Sequence, residues 1–158
     1  MKMMELFNTP FETALRVLLL LETGARTDFS INMIAALDFA ALYGRSFGFS
    51  EANLHGDNLF KFSEFATRKE LTNAGITFLV QRGFVDITPT KNGFVYRVSP
   101  SGQKFASRLN TKYAKEYKEQ IRLALRHFSS DSEQTILNKI NKVAVASLEK
   151  EDAVFHEE

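Results

Sequence analysis

Apolar positions in the first half of the chain recur at helical spacing, and each run opens on a capping residue. Thr9-Pro10-Phe11-Glu12 reads as a helix start. Thr can accept from an exposed N–H, Pro suits the first helical position, and Glu three residues after Thr completes a capping box. The predicted helix runs to about Thr23, with Gly24 in the left-handed C-terminal position. Leu falls on nearly every side of it, which predicts burial on most faces. A second helix is predicted after Ser30, with Ile31, Ile34, Ala35, Ala41 and Leu42 inside and its end at Gly44. The stretch 45–62 has no steady period and reads as a loop with room for a short helical turn. A third helix spans Ser63 to about Arg82, with Leu71, Ala74, Gly75, Phe78 and Leu79 inward and Gly83 as its stop.

The period then falls to two. Phe84–Thr88 and Phe94–Val98 read as strands, joined by a turn over Pro89–Gly93 in which Asn92-Gly93 supplies positive φ. Ser99-Pro100 opens a further helix, and two more are predicted over Thr111–His127 and Asp131–Glu149. Their inner stripes are Tyr113, Tyr117, Ile121, Ala124 and Phe128, then Ile136, Leu137, Ile140, Ala144 and Leu148. Three helices, a hairpin and a helix form the winged-helix pattern. "LVQRGFVDITPTKNGFVYRVSPSGQKFASRL" carries most of that resemblance. The expected fold class is mainly α (α+β): a winged helix-turn-helix with a two-stranded β-hairpin wing and a C-terminal helical extension. Residues 9–109 form the expected winged-helix domain and 110–150 the helical pair, with frayed ends at 1–8 and 151–158.

Composition narrows the chemistry. With 44% hydrophobic and 25% charged residues, the chain is ordinary for a folded domain rather than a disordered one. Its lack of cysteine excludes disulfides, thiol catalysis and thiolate metal sites. A formal net charge of +1 means that attraction to nucleic acid or membrane must come from a local patch. The N-terminus lacks a signal-peptide pattern, and the longest apolar run, Val17–Leu21, is too short to span a bilayer. The expected location is the cytoplasm, with no membrane partner.

A second resemblance covers residues 8–109. "NTPFETALRVLLLLE", "IAALDFAALYGRSFGF" and "LHGDNLFKFSEF", followed by the winged segment, resemble the middle components of bacterial ABC three-component (ABC-3C) systems. The resemblance implies a conflict system against phages or plasmids. In it an SMC- or Rad50-like ABC ATPase is paired with an effector, often a nuclease, and a small winged-helix component couples them. The chain has no P-loop motif, so the resemblance implies the adaptor, with ATPase and effector on other chains. The alternative function is a dimeric winged-helix transcriptional regulator that binds DNA.

Candidate site residues are few. "LHGDN" sets His55 and Asp57 around Gly56 in a loop. Catalysis would need a third group, and His127 and His156 fall in no metal-ligand spacing, so no catalytic residue, metal or cofactor is expected. His55 and Asp57 instead read as a bend that docks a partner. Asp38 lies in an apolar stripe and needs a partner if buried, with Arg45 or Arg16 within reach. The third helix should present Lys69, Asn73, Ile76, Thr77 and Val80 outward, flanked by Arg68 and Arg82. Ile76 and Val80 make that face resemble a protein-docking surface as much as a DNA reader. Further cations for nucleic acid are Lys91 and Arg97 on the hairpin. Lys112, Lys115, Lys118, Arg122 and Arg126 form a later stripe diluted by Glu116 and Glu119. That stripe reads as a solvated face or as a non-specific track on the DNA backbone.

Overall fold

The structure, a computed structural model, describes residues 9–51, 53–54 and 61–156, with side chains described for 9–51, 53–54 and 67–146. Helix α1 (Pro10–Thr23) leads into a short strand β1 (Phe29–Ser30), helix α2 (Ile31–Leu42) and a single turn α3 (Gly44–Phe47). Helix α4 (Lys61–Gln81) precedes strands β2 (Val85–Thr90) and β3 (Gly93–Val98). Helices α5 (Pro100–Ser107), α6 (Lys112–His127) and α7 (Glu133–His156) follow. The molecule is mainly helical with a small antiparallel sheet, an arrangement compatible with a winged-helix-like α+β fold.

The caps fall where the sequence places them. Thr9, Ser30, Ser99 and Thr111 each accept from a backbone N–H three residues on, at 3.0–3.1 Å. Gly24 does not take the expected left-handed conformation, for its φ is −99°. Space explains the glycine instead, because a Cβ there would lie 2.8 Å from the Phe29 ring.

The sheet has three strands in the order β1-β3-β2, not the expected two. β1 pairs Phe29 with Tyr96 and Ser30 with Val95. Two residues are too few to show a period, so this strand leaves no pattern in the sequence. The β2–β3 ladder is longer than expected and runs from Val85↔Val98 to Thr90↔Gly93. Only Lys91-Asn92 remains as the turn, and the positive φ, 113°, belongs to Gly93 alone. At the base, Ser99 Oγ donates to the Gly83 carbonyl at 2.6 Å while accepting from Gly102 N–H at 3.0 Å. The hairpin thus leaves α4 and enters α5 at one clasp.

α2 is the central element. Every residue from Ile34 to Leu42 is buried, so its sides carry α1, α4, α6 and α7. One apolar cluster runs from Ala14 through Tyr117 and Ile121 to Ile140. α4 departs from the sequence reading by a rotation about its axis. Among its described side chains the buried positions are Arg68, Thr72, Gly75, Ile76 and Leu79, whereas Ala74 faces solvent. Gly75 lets α4 approach α1 closely, since a Cβ there would sit 3.1 Å from Ala14 N. Gly75→Val should therefore overpack this contact and cost about 1–3 kcal/mol, read as a lower midpoint in thermal unfolding followed by circular dichroism.

Candidate functional site

Asp38 lies on the all-buried helix α2 and is itself fully buried. Its Oδ1 accepts from Arg16 Nε at 3.1 Å and from the Tyr117 hydroxyl at 2.6 Å. Its Oδ2 accepts from an Arg68 guanidinium nitrogen at 3.2 Å. Arg16 also donates to Thr13 Oγ1 at 3.3 Å. One carboxylate thus joins α1, α2, α4 and α6. Of the two partners expected from sequence, Arg16 is present. Arg68 and Tyr117 join it from positions far along the chain.

Burial alone would raise the Asp38 pKa, but the Arg16 and Arg68 guanidiniums and the Tyr117 hydroxyl outweigh it and hold it at about 2. Burial, with Asp38 adding to it, pushes the Tyr117 hydroxyl well above its ordinary value. Burial likewise takes Tyr113 up to about 12. None of these groups exchanges a proton near neutral pH, so the cluster binds helices together and is not poised for acid–base chemistry. Beside it, α1, Leu109 and the start of α6 line a half-open, largely apolar cavity of about 370 Å³ formed by Leu15, Leu19, Leu109, Tyr113 and Ala114, with Glu12, Arg16 and Thr111 at its wall.

The residues expected to contact partners separate into groups. Lys69, Asn73 and Thr77 are exposed in line on α4. Ile76 does not join them, being buried in the core, and Val80 is half-buried against it. Arg68 is interior, engaged with Asp38, and offers nothing to phosphate. Both corrections follow from the rotation of α4: Asp38 draws Arg68 inward, and Ile76 lies two turns further on the same face. His55 and Asp57 lie outside the described residues.

The basic positions are largely committed. Arg97 pairs with Asp28 at 2.8 Å and donates to the Arg26 carbonyl. Lys118 pairs with Glu22 at 3.1 Å, Arg122 with Glu119 at 3.2 Å and Lys112 with Glu116 at 3.9 Å. Lys91, Lys115 and Arg126 are exposed. Carboxylates interrupt the α6 stripe, so it is no continuous phosphate track. Exposed aromatics were not anticipated. Phe11 is 62% exposed and meets Phe78 edge-on, while Arg82 lies 4.8 Å over the Phe78 ring. Among the described residues there is no His/Cys/Asp/Glu group able to hold a metal, and no helix long and apolar enough to cross a membrane.

Asp38 gives a signed pH dependence. Its folded pKa lies below the ordinary 3.8, so its stabilisation is present above that value and is lost as pH falls through about 2. The shift corresponds to a contribution on the order of 2 kcal/mol. Denaturant titrations should show stability falling between about pH 4 and pH 2. Asp38→Asn should remove that dependence and cost about 3–5 kcal/mol at neutral pH, because two guanidiniums lose their carboxylate. Tyr117→Phe should cost about 1–3 kcal/mol. Ile76→Asp should destabilise the fold by more than about 3 kcal/mol, visible as lost helicity, rather than alter surface contacts alone.

The searches of curated proteins and of solved structures give no match. A family model does match, over residues 6–150, and its description is ABC-three component (ABC-3C) system Middle Component 2. The match spans nearly the whole chain and takes in the charge-tied helices, the sheet and the C-terminal pair. The chain belongs to the ABC-3C system Middle Component 2 family.

Proposed function

We propose that this chain is a non-enzymatic adaptor that couples an SMC- or Rad50-like ABC ATPase to an effector, often a nuclease, in defence against phages or plasmids. Family membership carries the reading. A middle component works within a multi-component system, and an adaptor needs a rigid body with faces left for other chains. The interior supports that need, since α1, α2, α4 and α6 are tied through Asp38. The proposed docking face is the exposed row Lys69, Asn73 and Thr77 on α4, a polar strip beside the half-buried Val80. The loop around His55 and Asp57 is the second proposed contact. DNA contact is secondary in this reading. Lys91, Lys115 and Arg126 can meet phosphates in passing, but intramolecular pairing of Arg97, Lys112, Lys118 and Arg122 weakens an independent DNA site.

Co-expression with the ATPase and effector encoded in the same system tests the proposal. A stoichiometric complex should survive size-exclusion chromatography. Asn73→Arg with Thr77→Asp should lower recovery of that complex at least tenfold while leaving the unfolding midpoint of the isolated chain within a few degrees. A chain that stays outside any complex and selects one duplex sequence tightly would instead be a transcriptional regulator.

A further inference from the structure

β2 is one of the two edge strands of the sheet, and every residue in it after Val85 is exposed. Pro89 has no N–H, so the Pro89–Phe94 pair cannot exchange ladder hydrogen bonds. Antiparallel pairs alternate, so Asp86, Thr88 and Thr90 bond to β3, and the N–H and C=O of Ile87 point to the open edge. Ile87, Pro89, Phe94 and Tyr96 share one face, which runs outward from the buried pair Val85–Val98. Ile87 is 43% exposed there and Phe94 57%.

We propose that this edge pairs with the same edge of a second copy, β2 antiparallel to β2, about a two-fold axis through Ile87. The inference is independent of the adaptor reading. In this register the two Ile87 residues exchange both edge hydrogen bonds. Pro89 falls opposite Val85 of the partner, where its carbonyl still accepts. Asp86 falls opposite Thr88, so no like charges meet. A register centred on Asp86 would oppose two carboxylates, which is unfavourable across strands. A register centred on Thr88 would set Ile87 against Pro89, which cannot donate, and would halve the bonds at that pair. The edge is thus complementary to itself in one alignment, as a two-fold interface requires. The apolar faces of the two hairpins then join into one strip.

The full chain should sediment as a monomer–dimer mixture that shifts with concentration. Ile87→Lys should weaken dimerisation at least tenfold, by placing two cations opposite each other, with an unchanged circular dichroism spectrum. The chain has no native cysteine, which allows a register test that does not depend on that variant. Mixed Asp86→Cys and Thr88→Cys chains should form a heterodimeric disulfide on mild oxidation, and neither alone should cross-link. A monomer at every concentration overturns the proposal, as does a dimer that the mixed cysteines do not capture. Cross-linking by either single variant overturns the stated register. Protection of the Ile87 amide from hydrogen exchange only when the ATPase is bound overturns self-pairing, and would give the edge to a strand of that partner.

Discussion

A single carboxylate organises the interior. Asp38 stands in a helix with no solvent-facing residue between Ile34 and Leu42, and burying its charge there is costly unless it is fully satisfied. Arg16, Arg68 and Tyr117 satisfy it from three other helices. Each donor can reach only if its helix has the right rotation and height, so the charge sets the alignment of α1, α4 and α6 around α2. Apolar burial holds these helices together but tolerates sliding and rotation. The directional bonds select one arrangement. Well-packed apolar residues could match the net energy of such a network, but removing one of its partners leaves an uncompensated buried charge and is strongly destabilising.

The same network marks where the sequence could be read and where it could not. Elements defined by local chemistry were legible. The helix starts at Thr9, Ser30, Ser99 and Thr111 stand as expected, and so do the presence of a hairpin after α4 and the inner stripe of α6 through Tyr117, Ile121 and Ala124. The phase of α4 was not legible. Its described inner face includes Arg68 and Thr72, residues that a hydrophobic pattern assigns to solvent, and the long-range partner Asp38 explains Arg68. Once Arg68 is placed inside, Ile76 follows it and Ala74 turns out. Helical spacing alone therefore misplaces Arg68 and Ile76, while Lys69 and Asn73 lie on the exposed side that it predicts.

Charge pairing shows a second limit. The cations of α6 do share an exposed side, as spacing dictates, but spacing does not reveal which are already engaged. Lys118 reaches Glu22 on α1, nearly a hundred residues back in the chain, and Arg97 on β3 reaches Asp28 beside β1. These contacts depend on how α6 lies across α1 and on the two-residue strand that sequence could not show. Family membership rests on resemblance across the chain and needs neither detail.

The clasp at Ser99 has a mechanical consequence. At the base of the hairpin one hydroxyl bonds both the turn that ends α4 and the start of α5, while β1 and the Arg97–Asp28 pair hold β3 further along. The Phe84 N–H to the Leu79 carbonyl, and the Ser99 N–H to the Phe84 carbonyl, reinforce that base. The base bonds directly to the end of α4, with no slack linker between, and α4 is the helix that carries Arg68. The hairpin and the buried charge at the centre of the molecule are thus joined by one unbroken helix, α4.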